Sequence, residues 1–154
     1  MALTRIKIAK DKAELVRRLL EHQGTTGMFS TYADVIAFAA SLGAKYQKRS
    51  PFKEVSQNEP APISLEIFIS RGYERLIDLI AVASVKDINI LAREEDAAAD
   101  RVKIFAEYAN GGLEKLQQEL RGAVDYTDRL VLMLNNERFG REESDAEFDL
   151  SRFL

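Results

Sequence analysis

The sequence predicts a mainly α protein: a helical bundle with one short N-terminal β-strand, whose strand and first two helices follow the order of a ribbon-helix-helix module. Three observations predict it. Apolar residues recur at three- and four-residue spacing through most of the 154 residues. Alternation with a period of two is confined to the start, where Thr4, Ile6 and Ile8 interleave with Arg5, Lys7 and Ala9. All three prolines fall between Ser50 and Pro62, leaving long stretches on either side free to be helical.

The alternating segment, residues 4–9, is too short to stand alone and needs a partner strand from this chain or from a second copy. Asp11 is expected to cap the next helix, with Glu14 as the acidic half of a capping box. That helix turns Leu15, Val16 and Leu19 inward and Arg17, Arg18 and Glu21 outward, and should stop before Gly24. Gln23 to Ser30 reads as a loop. Thr31 with Asp34 is a second capping signal, opening a helix over 32–47 that is apolar almost all round. Val35, Phe38, Ala39, Leu42 and Tyr46 form its main stripe, and Ala33, Ala37, Ala40 and Ala44 permit close approach. Its last turn carries Lys45, Lys48 and Arg49, which suit the negative end of the helix.

Ser50 to Pro62 reads as a linker. Beyond it, one long helix capped at Ser64 is expected through about Ser84, although Gly72 is a possible turn and 63–70 a possible buried strand. A helix over 94–109 opens with Glu94, Glu95 and Asp96 and is expected to end at Asn110-Gly111-Gly112. LEKLQQELRG forms another helix. DYTDRLVLMLNNER forms the last, with Tyr126, Leu130, Met133 and Leu134 inward. The organisation read from these signals is a basic strand-helix-helix module (1–49), a Pro-containing linker (50–62), a helical region packed with the module (63–136) and an acidic, partly mobile tail (137–154). In the tail, Phe148, Leu150, Phe153 and Leu154 are potential apolar anchors.

Composition excludes several classes of chemistry. There is no cysteine and a single histidine, His22, so disulfides and a zinc site of usual composition are ruled out. No phosphate-binding GxxxxGK[ST] or GxGxxG motif is present. No apolar run approaches the roughly 18 residues of a membrane span, and the first residues lack a signal-peptide core, so a cytoplasmic protein without membrane contact is expected. Glu94, Glu95, Asp96 and Asp100, and likewise Asp125 and Asp128, sit around helix starts, where capping and the helix dipole account for them. No catalytic residue, metal ligand or cofactor is therefore predicted. A metal-dependent nuclease would need acids that only folding could bring together.

Net charge is −3, but it is unevenly spread. Residues 1–53 hold ten Lys and Arg against four acids, and residues 54–154 hold twelve against twenty-one. A basic arm on an acidic body is one signature of a polyanion binder. In a ribbon-helix-helix reading, Arg5 and Lys7 face a DNA groove, and Lys10, Lys12, Lys45, Lys48 and Arg49 reach phosphates. The competing reading is that Arg5 and Lys7 protect a strand edge from aggregation. On either reading the strand needs a mate, so a homodimer or higher oligomer is expected.

RIKIAKDKAELV, TYADVIAFAASLGAKY, LEIFISRGYERLIDLIA and IFAEYANGGLEKLQQELRGAVDYTDRLVL together resemble the Dnd system-associated protein 4 family. EYANGGLE is the most distinctive piece, and the resemblance covers roughly residues 4–134. Dnd systems exchange a non-bridging phosphate oxygen of DNA for sulfur. The resemblance implies an accessory role beside other Dnd-system proteins, as a DNA-binding protein or as a protein–protein adaptor. It carries no catalytic residues over to this chain.

Overall fold

The structure is a computed structural model that describes residues 4–20 and 29–147, with side chains as far as Phe139. Among the described residues are six α-helices, two 3-10 turns and one two-stranded antiparallel sheet, a mainly α architecture. Residues up to Gln117 form one compact unit and those from Gln118 a second.

Ile6 and Ile8 are buried while Arg5 and Lys7 are exposed, so the period-two pattern separates core from solvent as its chemistry demands. Strand β1 (Arg5–Ile6) pairs with β2 (Ile63–Ser64), placing Arg5 opposite Ser64 and Ile6 opposite Ile63. Further along, Ser56 N donates to Ile8 O at 2.8 Å and Lys10 N to Glu54 O at 3.0 Å. The segment expected as a linker thus supplies backbone partners for the N-terminus, and its Ser56 and Pro60 are buried. The strand finds its mate within its own chain, and a ribbon between two chains is not needed to complete it.

Asp11 does not cap a helix. It lies in a 3-10 turn, Lys10–Lys12, that leads into α1 (Ala13–Leu20), and its carboxylate takes the Lys12 ammonium at 2.9 Å. Glu14 pairs with Arg18 one turn on, at 3.1 Å. α1 buries Leu15, Val16 and Leu19. The expected stop before Gly24, and His22 with it, lies outside the described residues. α2 (Tyr32–Lys45) opens on the full capping box: Asp34 N donates to Thr31 Oγ1 at 3.3 Å, and Thr31 N donates to Asp34 Oδ2 at 3.1 Å.

The single long helix expected from Ser64 is two helices, α3 (Leu65–Ser70) and α4 (Glu74–Val85), and Ser64 makes no side-chain cap. Gly72 causes the break. At φ 88° it occupies the left-handed region. Tyr73 N then reaches Phe68 O at 2.9 Å and Gly72 N reaches Ile69 O at 3.0 Å, the paired bonds of a Schellman stop. A second 3-10 turn, Ile88–Leu91, is held by Arg101, whose guanidinium donates to Ile90 O at 2.7 Å and Ala92 O at 2.8 Å.

Asn110-Gly111-Gly112 were expected to stop a helix. These residues do not end a helix; they lie in the middle of one continuous helix, α5 (Glu95–Glu119). A Cβ at Gly112 would stand 2.6 Å from the Ala39 carbonyl carbon, and one at Gly111 would stand 2.7 Å from that of Lys48. On the facing side, a Cβ at Gly43 would stand 2.9 Å from the Tyr108 carbonyl carbon. Gly43 and Gly112 let the α2 and α5 backbones touch, Gly111 does the same for the segment after α2 at Lys48, and packing rather than turn propensity explains all three.

Phe68 and Phe105 meet edge to face with centroids 5.6 Å apart, inside a core that also fully buries Ile6, Ile8, Val16, Val35 and Ile36. Such a pair adds about 1 kcal/mol beyond its area burial. In the second unit, α6 (Tyr126–Glu147) is capped by Asp125, whose Oδ1 accepts from Asp128 N at 3.2 Å. Leu130 and Met133 are buried as expected, but Leu134 is exposed. The apolar anchors expected at Phe148, Leu150, Phe153 and Leu154 lie outside the described residues.

Candidate functional site

Seven cations were expected to face DNA, and the fold separates them into three groups. Lys12 is only 4% exposed, with its ammonium on Asp11, so it cannot reach a phosphate. Arg49 Nε donates to Glu107 at 2.9 Å, and its Nη2 lies 2.7 Å from the same oxygen. Glu107 is buried, and Arg49 also touches Ser84. Lys48 lies 3.3 Å from Glu114, which also accepts from Ser50 Oγ at 3.1 Å. Lys48 and Arg49 therefore clamp the segment after α2 onto α5, because a buried carboxylate such as Glu107 demands a cation. Lys10 is exposed with a loose contact to Glu54 at 4.0 Å, and Lys45 is exposed at the end of α2.

Arg5 and Lys7 behave differently. Both are exposed and neither has an ion pair among the described residues. Their side chains border a cavity of about 370 Å³ between β1, the segment around Phe52 and one stripe of α5. The fold brings two further cations to that cavity, Lys53 and Lys103, which are likewise exposed and unpaired among the described residues. Sequence reasoning missed both. Lys53 lies in the stretch read as a linker, and Lys103 is one charge on a helix of mixed sign. The available signal was positional: Ala99, Val102, Lys103, Ala106 and Glu107 share one helical face, but what that face meets is a tertiary matter.

Apart from Thr4 and Glu107, the rest of the cavity wall is apolar, through Phe52, Val55, Val102 and two alanines. Glu107 is its one acid, and Arg49 already neutralises it. Four cations that are unpaired among the described residues thus surround a largely apolar concavity. The arrangement can hold an anion that carries an apolar or aromatic part.

A second cluster lies at the start of α2. Asp34 accepts from Arg71 Nε at 2.8 Å and Nη2 at 2.6 Å, from Tyr73 Oη at 2.6 Å, and from the Thr31 backbone. Burial pushes the Asp34 carboxyl up, but the hydrogen bonds from Arg71, Tyr73 and Thr31 together outweigh it and hold the group below the usual carboxylate range. Burial, with Asp34 beside it, pushes the Tyr73 hydroxyl up. A carboxylate so fully occupied by donors is a lock between α2 and the α3–α4 turn rather than a proton acceptor. A cavity of about 360 Å³ beside it is lined by Phe29, Phe38, Ser41 and Leu76.

Among the described residues, no three His, Cys, Asp or Glu side chains are grouped to hold a metal ion. No helix among them is long and apolar enough to cross a membrane. A family model described as DNA sulphur modification system-associated protein 4 matches residues 5–153, extending past the stretches that carry the resemblance into the acidic tail. No curated protein and no solved structure matches the chain.

Proposed function

The chain belongs to the DNA sulphur modification system-associated protein 4 family, and from that membership we propose that it is a non-catalytic accessory that holds DNA at the cavity between β1 and α5. Its association with a DNA sulphur modification (Dnd) system follows from the family. DNA contact is supported by one observation above the others. Arg5, Lys7, Lys53 and Lys103 converge on one concavity, unpaired among the described residues, on a chain whose net charge is −3. Keeping four like charges together costs stability unless something anionic offsets it. Edge protection accounts for Arg5 and Lys7 but not for Lys103, which stands on a helix.

Fluorescence anisotropy with a labelled oligonucleotide across a salt series tests the reading. Arg5→Ala with Lys7→Ala should weaken binding and reduce the log–log salt slope by about 2 for duplex, one for each lost phosphate contact. Lys12→Met should leave the slope unchanged, since the Lys12 ammonium is buried. No binding at low salt, or a slope indifferent to the Arg5/Lys7 pair, would refute it.

An adaptor role is the second reading, favoured by α6, where Val131, Leu132, Leu134 and Phe139 are all exposed. Exposed apolar groups in such number suit a protein partner. Co-purification with identified Dnd-system proteins, lost on Leu132→Asp with Phe139→Asp, supports it; retention in that variant removes it. The case for a homo-oligomer rested on an unmated strand, and β2 supplies that mate.

A further inference from the structure

We propose that the cavity beneath Arg5 and Lys7 is a nucleobase pocket, so that the protein favours single-stranded or locally opened DNA over closed duplex. This rests on the DNA-contact reading above and adds to it what enters the cavity. A closed duplex presents phosphates, sugars and the edges of its bases in the grooves, while the faces of the bases stay stacked inside. It can lie across the four cations, but nothing in it fills a concavity of about 370 Å³. That volume falls within the ~300–1,000 Å³ range of pockets that enclose small organic groups.

The wall divides by chemistry in the way an unstacked nucleotide divides. Phe52 is half-buried and, with Val55 and Val102, supplies the apolar surface against which a base can stack. Arg5, Lys7, Lys53 and Lys103 supply positive charge for the phosphates on either side. An aromatic platform beside a basic track is how single-stranded nucleic acid is held without sequence preference. Ala99 and Ala106 keep the α5 side of the cavity shallow enough to admit a ring. The Glu107 carboxylate does not repel the phosphates, because Arg49 is bound to it at 2.7 Å.

The test compares three probes of one sequence: a labelled single strand, a closed hairpin duplex, and the same duplex with a mismatched pair. The full chain should bind the single strand more tightly than the closed duplex, with the mismatched duplex between them. Phe52→Ala should weaken single-strand binding by about 5- to 150-fold, the range for losing one base–aromatic stack. It should leave closed-duplex binding unchanged, and Phe52→Tyr should retain the preference. Should Phe52→Ala lower the melting temperature too far, Ala99→Leu decides the matter, since it fills the mouth of the cavity from an exposed helical position. Equal effects of these variants on single strand and duplex, or no effect on either, overturn the base pocket and leave the basic track standing. Binding of all three probes that ignores Arg5→Ala with Lys7→Ala overturns the DNA-contact reading and the pocket with it.

Discussion

Gly112→Ala tests whether the α2 and α5 backbones touch, and the two effects it brings into play have opposite signs. In the middle of a 25-residue helix, replacing glycine with alanine should stabilise by about 1 kcal/mol from helix propensity alone. The added methyl would run into the Ala39 carbonyl oxygen and stand 2.6 Å from the Ala39 carbonyl carbon and 3.0 Å from the Ala39 Cα. Carbon atoms in contact need about 3.5–4.0 Å, so the helices must separate by roughly 1 Å. The obstacle is backbone, and no rotamer change relieves it. Such overpacking costs about 1–3 kcal/mol, and a clash of this depth belongs at the upper end. The net is a loss of about 2 kcal/mol, equivalent to a Tm lower by roughly 4–8 °C for a chain of this length. Urea and thermal unfolding followed by circular dichroism measure it. Gly43→Ala should behave alike, and the double variant should lose less than the sum, because one separation of the helices relieves both clashes. A Gly112→Ala protein as stable as wild type or more so would show that α2 and α5 do not pack here.

Asp34→Asn keeps the side-chain volume but removes the charge that Arg71 and Tyr73 bind, and should cost about 1.5–3 kcal/mol at neutral pH. Because the folded-state group lies below its ordinary 3.8, this contribution is fully present above that pH and is lost as pH falls through the folded-state value. Urea midpoints of wild type and variant should therefore converge on acidification below about pH 4; a gap that persists there would refute the charge-based account. Glu107→Gln removes the one acid that lines the cavity among the described residues and releases Arg49. It should destabilise by about 1–3 kcal/mol while tightening single-strand binding of the folded variant, because the freed Arg49 guanidinium adds a positive charge; binding no tighter than wild type would refute an electrostatic hold on the phosphates.

How much was legible depended on whether a signal was local. The Thr31–Asp34 capping box uses residues three apart, and it forms as read. The buried Leu15, Val16 and Leu19 follow from helical period in the same way. Gly72 was ambiguous because glycine permits a left-handed turn without requiring one; the Schellman bonds to Phe68 and Ile69 settle it. Asn110-Gly111-Gly112 misled because the residues that end a helix are also those that let two helices touch, and only the position of Ala39 across the gap distinguishes the uses. The site divided along the same line. Arg5 and Lys7 were marked by strand alternation, whereas Lys48 and Arg49 looked equally available until Glu114 and Glu107, far away in sequence, proved to hold them.

The sequence by itself determined that the chain is mainly helical, that its N-terminal half is basic, and that it holds no cysteine, since composition and short-range periodicity carry that information without reference to contacts. Tertiary structure alone decided which cations remain available and what they surround. An ion pair depends on distance in space, and residues 5, 53 and 103 come to one cavity only because β1, the proline-containing segment and α5 pack around it.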